Sequence, residues 1–188
     1  MRRIISKERD SKKKKRNQII LSIILVVVIS FSTLGYAFRG EVKSEKEVEY
    51  NGVKFVQQNG FWIADVGNLK LILRYSPYEV NKTETELNAL ENYYNKPLYI
   101  YSKNQEASYE IYNNLEGIAQ RIQPACLEEE NCEENLPIKT CEENFIIINE
   151  EENIKIRREN NCLFIEGQKE DLVKITDGVL LKIFGIEQ

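Results

Sequence analysis

Histidine is absent from all 188 residues. That removes the commonest general base, the side chain that titrates near neutral pH, and the commonest metal ligand. Cysteine is scarce as well: Cys126, Cys132, Cys141 and Cys162 are the whole set. Their spacings, C-x5-C, C-x8-C and C-x20-C, contain neither the C-x-x-C of thiol redox centres nor the close pair of a structural zinc site. Beyond residue 38 the only aspartates are Asp65, Asp171 and Asp177, and no spacing pairs them as acid and base. No nucleophile elbow, zincin helix, phosphate loop or dinucleotide fingerprint occurs. The expectation is a protein that is not an enzyme and holds no cofactor and no metal.

Charge is missing from one stretch only. Residues 19–38, IILSIILVVVISFSTLGYAF, carry none over 20 positions. A helix of that length rises about 30 Å, the thickness of a bilayer's hydrocarbon core. A single segment cannot close a barrel, so helix is the only conformation that satisfies its backbone in lipid. Ser22, Ser30, Ser32 and Thr33 are expected to bond back to carbonyls of the preceding turn. The tail before it, residues 1–18, has a net charge of +7, and residues 19–188 carry −11. Lysine and arginine beside a membrane helix stay in the cytoplasm. The expected arrangement is a basic cytoplasmic tail (1–18) resting on anionic lipid, a transmembrane helix (19–38), a charged juxtamembrane linker (39–49) and an extracytoplasmic domain (50–188). The long apolar core reads as a retained signal-anchor; Gly35-Tyr36-Ala37 offers the alternative of cleavage after Ala37.

The acidic outer part has the length of one domain with a core. Its charge argues against nucleic acid as a partner. All four cysteines lie in it, as disulfides require of an oxidising compartment. Three pairings are open. Residues 138–148 and 154–165 read as a hairpin turning near Glu151, which places Cys141 opposite residue 161. The expected bridges are therefore Cys141–Cys162 and Cys126–Cys132, the second closing an acidic loop.

Asn51-Gly52 and Asn59-Gly60 are turn signals. With the alternation of Leu69, Leu71, Leu73 and Tyr75 they predict a meander of strands near 53–57, 61–65 and 69–75. Leu87, Leu90 and Tyr94 suggest a short helix in a polar stretch. A strand follows at 98–101. Ser102-Lys103-Asn104-Gln105 reads as a capping box. Ala107, Ile111, Leu115, Ile118, Ala119 and Ile122 then predict an amphipathic helix of about 18 residues, stopped by Pro124. Residues 145–148 and 163–165 are apolar on both faces, which suits interior strands of a covered sheet. The last helix, 169–184, is capped by Gly185. The fold class expected is α+β: an N-terminal β meander, then β-α-β-β-α, with the helices on one face of a mainly antiparallel sheet.

Three features invite chemistry. Six of the ten tyrosines fall between Tyr93 and Tyr112. Tyr99 and Tyr101 point away from Leu98 and Ile100, and with Tyr109 and Tyr112 they are the candidate face for a sugar or peptide. The acidic run 128–134 lacks the alternating Asp/Asn and Gly of a calcium loop and reads as solvated, or as a dock for a basic partner. Asn81-Lys82-Thr83 is a candidate glycosylation acceptor. Asp177 stands out inside the last helix, where it would bond neighbouring backbone or pair with Lys174.

The C-terminal pattern runs Pro124-Ala125-Cys126, Pro137-Ile138-Lys139-x-Cys141-x-x-Asn144, Asn161-Cys162-x-Phe164-Ile165-x-Gly167 and Phe184-Gly185-Ile186. It resembles a group of short single-pass membrane proteins of small-genome archaea, over roughly residues 50–188. The resemblance implies membrane anchoring and paired cysteines, and no activity. The function expected is a membrane-anchored extracytoplasmic interaction or accessory component of the cell envelope. Its partners are the lipid bilayer and an envelope protein. The alternative is a ligand-binding or hydrolytic domain using the tyrosine-rich face.

Overall fold

The computed structural model describes residues 7–37, 46–127 and 135–187. The chain divides into two compact units, Met1–Ser44 and Glu45–Gln188. The first holds helix α1, Lys7–Ala37. Its window Lys13–Ser32 is long and apolar enough to cross a membrane. Its large apolar side chains from Ile19 to Phe31 are exposed. Ser22 Oγ donates to Gln18 O at 3.0 Å and Ser30 Oγ to Val26 O at 2.8 Å, as the serines of an apolar helix must.

The second unit is α+β, with an antiparallel meander and two further helices. The meander is β1 (Glu47–Tyr50), β2 (Val53–Gln58), β3 (Phe61–Val66) and β4 (Leu69–Leu73), in that order across the sheet. Strand β1 takes in the last three residues of the stretch read as spacer. Val48 and Tyr50 supply its inward side, and the Asn51-Gly52 turn pairs it with β2 from Glu47↔Val56 to Tyr50↔Val53.

The other large sheet has five strands: β5 (Pro97–Ser102), β6 (Arg121–Pro124), β9 (Asn144–Glu150), β10 (Lys155–Glu159) and β11 (Cys162–Gly167). Their order is β10-β11-β9-β5-β6. Between β6 and β9 a small parallel pair intervenes, β7 (Cys126–Leu127) with β8 (Ile138–Lys139). Here the expectation of one mainly antiparallel sheet is corrected. There are two large sheets, and in this one β9 runs parallel to both β11 and β5, and β5 parallel to β6. Only β10 opposes its neighbour. The cause is local. The turn forms at Asn160, whose φ of +53° asparagine tolerates. The hairpin is therefore β10–β11, and β11 is left beside β9 in the same direction. Strands apolar on both faces are what a parallel interior demands.

Helix α2 (Gln105–Leu115) crosses from β5 to β6. It is shorter than its apolar pattern suggested, because Ile118 and Ala119 bury as a turn and Ile122 belongs to β6. Its cap is Asn104, whose Oδ1 accepts from Ala107 N at 3.0 Å, rather than Ser102. Helix α3 (Leu172–Ile183) ends as expected. Gly185 takes a φ of +72°, and Gly185 N and Ile186 N donate to Lys182 O and Leu181 O.

Alternation splits the five-stranded sheet's burial. Leu98, Ile100, Ile146, Ile148, Leu163 and Ile165 meet α2, α3 and the meander in the main core. Tyr99, Phe145, Ile147, Cys162 and Phe164 form a second cluster on the opposite face with Ala125 and Leu127. Both helices thus share one face.

Candidate functional site

Strand ends and helix starts converge at one place. The close of β4, the β5–α2 turn and the β11–α3 turn border a cleft of about 610 Å³ lined by Arg74, Tyr75, Lys103, Asn104, Glu106 and Lys169, among others. Arg74 forms its wall. Its Nη1 lies 2.8 Å from Glu106 Oε2, on the exposed side, and its Nε 3.2 Å from Glu110 Oε1, which is 1% exposed. Asn104 Nδ2 donates to Lys169 O at 3.2 Å and ties the two helix starts together.

Behind Arg74 the helices close the outer edge of β4. Asn114 Oδ1 accepts from Ile72 N at 2.7 Å, and its Nδ2 donates to Ile72 O at 2.8 Å. Asp177 Oδ2 accepts from Arg74 N at 2.9 Å and Tyr75 N at 2.8 Å. A side chain from each helix thus does what a fifth meander strand would do. The expectation that Asp177 bonds backbone is met. Asp177 is fully buried, and its Oδ1 has no hydrogen-bond partner among the described residues. Burial pushes its carboxyl up to about 8, with the Glu110 charge adding to the rise against the two backbone donors and Arg74. Burial also raises Glu110, against the pull of Arg74.

The four candidate tyrosines do not share a surface. Tyr99 and Tyr101 lie with the second cluster, and Tyr99 is closed from solvent. Its hydroxyl accepts from Arg121 Nη2 at 3.0 Å, and Lys139 Nζ sits 4.6 Å from the ring centre. The Arg121 bond, helped by Lys139, lowers its pKa against the opposing effect of burial. Tyr109 and Tyr112 ride on α2, across the sheet, and are 57% and 40% exposed. They line a groove of about 310 Å³ with Ile100, Ser102, Ile122 and Pro124.

That groove runs beside β6, and the four outer strand edges of the two large sheets differ there. The β4 edge is closed by Asn114 and Asp177. The β10 edge gives Ile156 O to Thr85 Oγ1 at 2.7 Å. The β1 edge gives Glu49 O to the Tyr78 hydroxyl. On β6, Gln120 N turns to Lys96 O of the neighbouring segment, and ladder alternation turns Arg121 and Gln123 outward. Their main-chain groups meet no partner among the described residues.

Cys141 and Cys162 are bonded, with Cα atoms 4.9 Å apart. The pairing matches the expectation, but the geometry behind it does not. The residues meet because β9 and β11 start side by side, with Asn161 N donating to Cys141 O at 3.1 Å. Cys132 and the acidic run 128–134 lie outside the described residues, so the Cys126–Cys132 bridge does too; no described cysteine is free. Asn81 is half-buried beside α3, and Thr83 of the same sequon is buried. Among the described residues no group of three or more acidic or sulfur ligands is placed to hold a metal ion.

Sequence signals for the β4 closure existed. Glu110 and Asn114 occupy positions on the buried stripe of α2 that holds Ala107, Ile111 and Leu115. Polar residues on an apolar stripe mark a specific bond. No family model, no curated protein and no solved structure matches the chain, so the resemblance to archaeal single-pass proteins stands on its quoted residues alone.

Proposed function

We propose that this chain is a single-pass membrane protein whose basic N-terminus stays in the cytoplasm and whose α+β domain lies outside. There it docks an envelope protein as an accessory component. The observation that carries this reading is the bare β6 edge beside the Tyr109–Tyr112 groove. An extended segment of a partner would bond Arg121 and Gln123 main chain, and place a side chain against the two tyrosines. The N-terminal helix and the disulfide are compatible with the topology: such a helix anchors, and such a bond persists in an oxidising space.

Two measurements test it. A membrane-impermeant amine label on whole cells should modify lysines of the 46–187 domain and spare Lys12–Lys15; the reverse pattern would overturn the topology. A photo-crosslinking residue at Gln123 should capture one defined partner, lost on Tyr109→Ala, while the same residue at Arg158 captures none. Equal capture from both sites would remove the docking assignment.

The second reading, an extracytoplasmic domain binding a small ligand, draws on the polar cleft at Arg74, Lys103 and Lys169. Its hydrolytic form is disfavoured by burial. Among the described residues the three carboxyls with raised pKa, Glu110, Asp177 and Glu187, are all buried. Retention of a fluorescent anionic or sugar probe that Arg74→Ala releases would favour this reading over docking.

A further inference from the structure

The β4 edge is fastened by bonds of two kinds. Asn114 is neutral at every ordinary pH. Asp177 is not, and its surroundings hold too few cations. The groups facing it are the Arg74 guanidinium from the end of β4 and Glu110 from α2. Glu106 draws on the same guanidinium from the cleft side. From β11, the strand under α3, Glu166 points to the opposite face and pairs there with Arg157. Lys182 of α3 is committed to Thr83 O at 2.8 Å. One shared cation thus stands against two shut-in carboxyls. Two buried negative charges on one partner are unfavourable, whereas a neutral acid keeps Oδ2 free to accept both backbone donors.

We propose that Asp177 and Glu110 form a proton-dependent latch between the N-terminal meander and the two helices, closed while one of the pair is protonated and loosened when both are ionised. The latch holds Arg74 and Tyr75 against α2 and α3, and those two residues form one wall of the polar cleft. Alkalinisation therefore frees the end of β4 and opens that wall, while the Asn114 bonds keep the meander attached. The device needs no ligand and does not depend on the docking assignment.

Trp62, the sole tryptophan, is the reporter. It is 7% exposed and pairs across β3–β4 with Leu73, the residue before Arg74. The experiment follows Trp62 emission and acrylamide quenching of the full-length protein in detergent from pH 6 to 9.5, with far-UV circular dichroism alongside. The expected result is a reversible red shift with a midpoint near 8 and unchanged circular dichroism. Asp177→Asn should abolish the transition and keep the low-pH emission throughout. Glu110→Gln should likewise keep the low-pH emission throughout, because only one of the two carboxyls is then left to ionise beside Arg74. Absence of a transition in the parent protein overturns the proposal, as does a transition that survives Asp177→Asn. Should that variant fail to fold, a transition that survives in Glu110→Gln overturns it instead.

Discussion

The edges of β4 and β6 are both outer rims of large sheets, yet they are treated in opposite ways. On β4 the main-chain groups of Ile72, Arg74 and Tyr75 each find a side chain of α2 or α3. On β6 those of Arg121 and Gln123 find none among the described residues. A closed edge trades pairing capacity for stability, and an open one keeps the capacity. Polar residues on the inner faces of α2 and α3 are thus fasteners rather than packing defects.

The contrast can be broken most forcefully at Asn114. Replacing it with alanine leaves the half-buried Ile72 N–H and C=O unpaired. We expect a loss of about 3 kcal/mol in chemical denaturation, following the cost of orphaned groups. A loss under about 1 kcal/mol would show that water replaces the side chain. Next is Gly178, directly after Asp177. A Cβ there would lie 2.3 Å from Asn81 O, a backbone atom that cannot turn aside. Gly178→Ala should cost about 2 kcal/mol in thermal unfolding despite alanine's better helix propensity, because an overpacked contact outweighs it.

Asp177→Asn tests the closed edge through pH. The folded pKa lies above its ordinary value of 3.8, at about 8. The stability it contributes is complete below the ordinary carboxylate range. It is lost as pH rises toward 8, by at most about 1.4 kcal/mol per pH unit. The asparagine variant should show a flatter stability profile over that window in urea titrations and should overtake the parent near pH 8. An unchanged slope would place the titrating group elsewhere. The smallest stability effect belongs to the open edge. Gln123→Pro deletes an outward N–H that nothing bonds, and should shift unfolding by less than about 0.5 kcal/mol. It should abolish capture of the partner by a photo-crosslinking residue placed at Tyr112, on the same groove.

How legible all this was in the sequence depended on the kind of signal. Turn chemistry placed the three strands β2 to β4 within one or two residues, because Asn51-Gly52 and Asn59-Gly60 fix the register. The run 145–148 announced an interior strand correctly, but apolarity on both faces says nothing about a neighbour's direction until the turn is located. That turn was written as Asn160-Asn161, and the apolar content at Ile154 and Ile156 masked it. The overlong α2 had the same origin. Ile118, Ala119 and Ile122 keep a helical spacing while serving a turn and an edge strand, and short apolar runs do not distinguish the two. The tyrosines clustered in sequence but were divided by the sheet, since Tyr99 and Tyr109 occupy elements on opposite faces. Asp177 was conspicuous by chemistry. Glu110 and Asn114 carry a weaker signal, because glutamate and asparagine are ordinary in a helix and only their position on the buried stripe marks them.

Cys141 and Cys162 stand 21 positions apart and make the intervening chain, β10 included, a covalent ring. A protease that nicks the exposed turn at Glu151–Glu152 would therefore release no fragment there. The two cut ends remain tethered through sulfur, and the break becomes visible only after a reductant is added.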